Sequence, residues 1–273
     1  MRFDGILICT DLDGTLLRKD KTISQENLDA IKRFKAGGGY FTTVTGRMPY
    51  TSFDICAEFS PNAPIGCING GGVYDFEKRA YTKVRELSKT AYELVYLIER
   101  EIPDIGVQVN TRDVIYFARN NEAMAEFRRR TGAPNIERSC ADIEEPVCKI
   151  IFAHTDEEKI SRVKDLLKTH ERYSEFDYIR SEKMLYEILP KGCNKGSAVL
   201  DIADHLGVPR SRTVAIGDYD NDAPMLKAAA VGIAVANASA AAKAAADLVT
   251  VSNEEHAIAR IISDIEVGKI TFG

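Results

Sequence analysis

The stretch Ile6-Leu7-Ile8-Cys9-Thr10-Asp11-Leu12-Asp13-Gly14-Thr15 decides the fold. Its short apolar run reads as a buried strand. The run stops abruptly at two carboxylates spaced i, i+2, followed by a glycine and a threonine. Gly14 permits a sharp turn with positive φ, so the backbone can curl around a small ligand. Two acids beyond the carboxyl end of a strand sit where open α/β sheets bind their ligands. An Asp-rich turn that merely caps the next segment is the other reading of the same residues. On this stretch alone both stay open.

Working outward, the next segments alternate helix and strand signals. Ser24 reads as the N-cap of a helix through Leu28, Ile31 and Phe34. Gly37-Gly38-Gly39 ends it, and Tyr40 to Val44 reads as a second strand stopping at Thr45-Gly46-Arg47. Pro49 opens a helix through Phe53, Ile55 and Phe59, and Pro64 to Ile68 reads as a third strand ending at Asn69-Gly70-Gly71-Gly72. Three such strands predict a parallel sheet, with a hairpin following around Glu77-Lys78.

After about Val84 the rhythm becomes helices and hairpins, an α+β pattern that predicts a separate domain inserted over residues 84–190. The βα rhythm then returns. A helix from Asn194 to Leu206 precedes a strand from Thr213 to Ile216, which ends at Gly217-Asp218-Tyr219-Asp220-Asn221-Asp222. Further strands are expected over Val231 to Val235 and Leu248 to Val251. The core domain is thus expected over 1–83 and 191–273, an α/β, Rossmann-like parallel sheet. The Ala-rich run near its end suits close helix packing.

Composition bounds the function. With 273 residues, 28% of them charged and a formal net charge of −5, the chain has no basic block to serve nucleic acid or an anionic membrane. Six scattered cysteines form neither a C-x-x-C pair nor a zinc-like spacing, so they read as reduced core thiols of a cytoplasmic protein. No signal peptide or membrane span is expected. Oligomeric state has no signal in the sequence.

Four polar clusters fall on the βα units: Asp11/Asp13/Thr15, Thr45/Gly46/Arg47, Lys195 and Asp218/Asn221/Asp222. In a parallel sheet, clusters that follow strands share one edge, and Lys195 could reach it from the start of its helix. Unpaired carboxylates in a partly dry site cost several kcal/mol each, roughly, so a divalent cation is expected. All-oxygen ligands in low number suit Mg²⁺. The lysine and the hydroxyls suit a phosphate group instead of a simple metal store.

The runs Asp11-Leu12-Asp13-Gly14-Thr15-Leu16, Thr45-Gly46-Arg47, Asn194-Lys195-Gly196 and Gly217-Asp218-Tyr219-Asp220-Asn221-Asp222-Ala223-Pro224-Met225-Leu226 resemble, in order, the four signature motifs of the haloacid dehalogenase-like (HAD) phosphatases. The Cof-type branch, with its large α/β cap (type IIB) between the second and third motifs, is the best match. The resemblance covers nearly the whole chain and implies a Mg²⁺-dependent phosphatase of small phosphorylated metabolites, such as sugar phosphates or phosphorylated cofactors. It implies Asp11 as nucleophile and Asp13 as general acid, then base. The Asp11 carboxylate, the Asp13 backbone carbonyl and Asp218 would hold Mg²⁺, with Asp222 acting indirectly. Thr45, Gly46, Lys195 and Asn221 would grip phosphoryl oxygens, with Leu12 contributing backbone.

Some positions stay open. Arg47 is read as a substrate or cap contact or as a surface ion pair. Asn69 is read as lining the site or as a structural turn. A sugar-phosphate mutase and a non-catalytic phosphate-binding module are the rival functions. The first would draw on Arg112, Arg119 and Arg128-Arg129-Arg130; the second would be expected to lack the two acids that this chain has.

Overall fold

The computed structural model describes residues 2–272, and its chain divides into two compact units, residues 1–83 with 194–273 and residues 84–193. The first unit opens with β1 (Leu7–Thr10), α1 (Gln25–Ala36), β2 (Tyr40–Thr43), α2 (Phe53–Phe59), β3 (Ile65–Cys67), β4 (Gly72–Asp75) and β5 (Ala80–Val84). Ser24 caps α1 as its sequence demands, its side chain accepting from the Asn27 N–H.

The second unit contributes α3 (Ala91–Glu101), β6 (Gly106–Thr111), β7 (Ile115–Arg119), α4 (Glu122–Thr131), β8 (Val147–Ala153), α5 (Glu157–Lys168), β9 (Phe176–Glu182) and β10 (Leu185–Pro190). Its five strands form one sheet in the order β7-β6-β8-β10-β9, every pairing antiparallel. Leu94 and Ile98 of α3 and Ile160, Val163 and Leu167 of α5 pack with Val107, Val109, Ile150, Phe152 and Ile188 in a single apolar core. Alternation turns Gln108, Asn110, Lys149 and Glu187 to the other face. There the buried Lys149 and Glu187 pair at 3.2 Å, and Glu187 also accepts from the Ser181 hydroxyl.

The first unit resumes with α6 (Lys195–Leu206), β11 (Thr213–Gly217), α7 (Ala223–Ala228), β12 (Val231–Ala234), α8 (Ala240–Ala245), β13 (Leu248–Val249) and α9 (Ala257–Glu266). Its main sheet runs β13-β12-β11-β1-β2, all parallel. β1 lies inside it, between β11 and β2, and is fully buried, which is why it reads as an apolar run.

Two expectations need correction. The third strand does not extend the parallel sheet. After Cys67 the chain reverses within a few residues, so β3 pairs antiparallel with β4 in a separate three-stranded sheet with β5. It still approaches the end of β2 in the expected parallel sense, through one parallel bridge between Val44 and Gly66, where the Thr45 N–H donates to the Gly66 carbonyl at 2.9 Å. The crossover through α2 permits that parallel approach, while the tight reversal after Cys67 gives β3 its antiparallel partner β4. The helix opened by Pro49 is α only from Phe53, after a 3₁₀ turn over Pro49–Ser52, and Phe53 itself is not buried. It is 42% exposed, and Cys56 and Phe59 fill the core instead; Phe53 meets Tyr74 at a tilt and Phe76 edge-on.

Candidate active site

Because β2, β1 and β11 are parallel and adjacent, the residues after their last positions emerge together at one edge. Asp11 follows β1, Thr45 follows β2 and Asp218 follows β11. Lys195 arrives at the same edge from the first turn of α6, which is fixed by a capping box between Asn194 and Ser197.

The Lys195 ammonium is buried and donates to Asp11 Oδ1 at 2.6 Å and to Asp222 Oδ1 at 2.5 Å. A lysine has three donors, so one is left over for another acceptor. Asp11, Asp218 and Asp222 offer carboxylate oxygens lying within 4.8 Å of one another. Gly14, at φ +84, makes room for this arrangement, since a Cβ there would stand 2.5 Å from Asp218 Oδ2. Thr15 donates its hydroxyl to Asp218 Oδ1 at 2.7 Å. Asp222 accepts the Asp218 and Tyr219 N–H groups on Oδ2 and Lys195 on Oδ1, so most of its acceptor capacity goes into shaping the turn.

Three carboxylates face one ammonium here, and the titration of Asp11 and Asp218 reflects that imbalance. Burial, followed by repulsion from Asp222 and Asp218, pushes the Asp11 carboxyl well above the ordinary range, against the pull of Lys195. Asp218 is pushed up to about 6, again by burial first and then by Asp222. For Lys195 burial works against the charged form, but Asp11 and Asp222 overcome it and raise its pKa. An all-oxygen donor set with surplus negative charge fits a hard divalent cation.

Asp13 behaves differently. Its carboxylate lies outside that cluster and is gripped by Arg47, Nε to Oδ2 and Nη2 to Oδ1, both at 2.8 Å, with Lys21 Nζ also 2.8 Å from Oδ1. Burial would raise its pKa, yet Arg47 and Lys21 hold it down at about 2. Arg47 is thereby placed as the partner of Asp13, and it also donates to the Thr51 carbonyl. Thr45 Oγ1 accepts the Arg47 N–H at 3.2 Å, which leaves the hydroxyl hydrogen to donate elsewhere. Leu12 is buried, its carbonyl accepting from the Thr15 and Leu17 N–H groups. Asn221 donates to Asn69 Oδ1 at 3.2 Å, and Gly46 lies against the same Asn69 amide.

Lys21 and the Thr15–Asp218 bond were not legible as site features. Lys21 sits in an ordinary polar loop, and only its left-handed backbone, φ 66, turns it back toward Asp13.

A buried lysine between aspartates, at the strand ends of a parallel α/β sheet, has the charge and donors that suit a phosphoryl group. The comparisons make that reading specific. The family model for haloacid dehalogenase-like hydrolases matches residues 8–262. The chain is 32% identical over 288 residues to a 5-amino-6-(5-phospho-D-ribitylamino)uracil phosphatase of Bacillus subtilis, YwtE, covering 96% of this chain and 98% of that one. It is 30% identical over 268 residues to another of that name and organism, YitU, with 94% and 96% covered. A solved haloacid dehalogenase-like hydrolase from Bacteroides thetaiotaomicron superposes with a TM-score of 0.82 at 26% identity, covering 95% and 99%. The chain belongs to the haloacid dehalogenase-like hydrolase family, and it is a phosphatase of that family. No helix among the described residues is long and apolar enough to cross a membrane.

Proposed function

We propose that this chain is a Mg²⁺-dependent phosphomonoesterase of small phosphorylated metabolites that works through a phosphoaspartate on Asp11. The observation that carries the reading is the Lys195 ammonium bridging Asp11 and Asp222 while Asp218 completes a three-carboxylate cluster. Asp11 and Asp218, with the Asp13 backbone carbonyl, would hold the cation, and Asp222 would orient its surroundings. When bound, Mg²⁺ supplies charge neutralisation for the phosphoryl oxygens.

In the first step an Asp11 oxygen attacks phosphorus, the ester P–O bond breaks, and Asp13 gives its proton to the departing alkoxide. In the second, Asp13 takes a proton from water, the water oxygen attacks phosphorus, and Asp11 leaves with inorganic phosphate formed. Lys195 with its third N–H, the Thr45 hydroxyl, Asn221, and the Gly46 and Leu12 backbone bind the phosphoryl oxygens. A carboxyl held at about 2 by Arg47 and Lys21 is a poor acid, so the acid role calls for those contacts, above all that of Arg47, to loosen. An arriving phosphoryl dianion offers Arg47 that alternative partner.

We assign substrate selection to the second unit as a cap, since the face of its sheet opposite α3 and α5 carries the polar set Gln108, Asn110, Lys149 and Glu187. The ribitylaminouracil phosphate named for the two relatives is the first metabolite to assay. The six cysteines are all buried, which supports a reducing, cytoplasmic setting.

The test is hydrolysis of p-nitrophenyl phosphate with Mg²⁺, with EDTA, and by Asp11→Asn. Turnover is expected only with the metal, and the variant is expected to lose about four orders of magnitude or more. Undiminished turnover in EDTA or in the variant would refute the mechanism.

A further inference from the structure

The turn Ile68-Asn69-Gly70-Gly71 is both strained and central to the site. Ile68 and Asn69 have φ of 57 and 53. A β-branched residue in the left-handed region is an outlier that its surroundings must hold in place. The surroundings are the loops of the candidate site. The Ile68 N–H donates to the Arg47 carbonyl at 3.0 Å, and the Asn69 N–H donates to the Thr45 carbonyl at 3.1 Å. The Gly70 backbone lies against Asn194, where a Cβ would come within 2.0 Å of the carbonyl oxygen.

The Asn69 side chain is fully buried inside this knot. Its Oδ1 accepts one N–H of Asn221, and it is walled in by residue 46, where a Cβ would stand 2.9 Å from the same oxygen. An asparagine amide carries two N–H donors and one carbonyl, and the two ends are chemically opposite. By taking one Asn221 donor, Asn69 fixes which end of that amide is nitrogen. The second N–H is then left for an anionic oxygen. We propose that Asn69 is a positioning residue for phosphoryl binding that acts through the Asn221 amide. The proposal rests on the phosphatase reading above and deepens it.

Asn69→Gly keeps a backbone that tolerates positive φ and deletes only the amide. The experiment measures kcat/KM on p-nitrophenyl phosphate, inorganic phosphate affinity by calorimetry, and thermal melting. The proteins are the parent, Asn69→Gly, Asn221→Ala and the double variant. Asn69→Gly is expected to lower kcat/KM and phosphate affinity by about ten-fold, the size of one hydrogen bond, with the melting temperature within a few degrees of the parent. On the Asn221→Ala background the same change is expected to cost less than about two-fold, because its route of action is gone. Parent values in Asn69→Gly, losses that multiply in the double variant, or a loss matched by a collapse in melting temperature would overturn the proposal. A parent that binds phosphate but does not hydrolyse the ester would sink the phosphatase reading, while the phosphate affinities still judge Asn69.

Discussion

At the scale of single residues, the centre around Lys195 is an electrostatic imbalance waiting for a cation. Asp218 titrates at about 6 in the metal-free protein, and Asp11 is raised as well. In the unfolded chain such carboxyls titrate near about 4. Between those values the folded protein holds protons that the unfolded chain has lost, so these groups make the metal-free protein less stable as pH rises from about 4 to about 6. A cation must displace those protons, so its stabilisation should grow across the same window. We expect Mg²⁺ to raise the melting temperature clearly at pH 7.5 and much less at pH 5, read by differential scanning fluorimetry against EDTA. An equal rise at both values would mean that Asp11 and Asp218 do not hold the metal. These acids were legible in the sequence because each directly follows an apolar strand. The grip of Arg47 on Asp13 was not. It depends on where two loops 34 residues apart meet, and no local pattern encodes that. The same holds for Asn69 and Asn221, which are 152 residues apart.

At the scale of elements, α6 exists to deliver Lys195. Its first residue is the lysine, its N-cap is Asn194, and the Asn194 side chain accepts the Ser197 N–H while the Ser197 hydroxyl accepts the Asn194 N–H. Asn194→Ala should therefore cost about 1 kcal/mol of stability and loosen the lysine, raising KM for a phosphate ester more than it lowers kcat. Urea unfolding together with steady-state kinetics would check this, and an unchanged KM would separate the cap from the site. Helices with caps, such as α1 and α6, were read from sequence close to their true limits because the capping chemistry is local. Elements set by long-range pairing were read less well. β3 looks like any short buried strand, and only the reversal at Ile68 and Asn69 sends it into an antiparallel sheet. The Ala-rich run shows a related limit. Of the residues in α8 only Ala242 is buried, because the five-alanine composition says how closely a helix can pack and not which side faces the sheet.

At the scale of the whole molecule, the chain leaves its first unit once and returns once. Among the described residues no sheet pairs strands of the core sheet with strands of the second unit, which has an apolar core of its own. The change of rhythm near Val84 was legible because βα alternation gives way to hairpins. Any choice of substrate by the second unit, as proposed, was not, since a polar strip such as Gln108, Asn110, Lys149 and Glu187 is no motif. If the first unit carries the chemistry and the second the choice of substrate, the two can be separated. Lys83 ends the first stretch and pairs with Asp201 at 2.6 Å, so it lies beside α6, and Asp201 is about 9 Å along that helix from Lys195. A short Gly/Ser linker from Lys83 to Asn194 should therefore close the first unit without strain. This variant, once shown to melt cooperatively, is expected to hydrolyse p-nitrophenyl phosphate in a Mg²⁺-dependent way at a reduced rate. It should also lose most of the spread in kcat/KM that the full chain shows across a panel of metabolite phosphates. That loss is the signature of removed leaving-group contacts, because discrimination is a difference in transition-state binding between esters that share one phosphoryl group. A folded variant that keeps the parent's ranking would place selectivity in the first unit. One that melts cooperatively yet turns over nothing would mean that the second unit supplies a group the reaction itself requires.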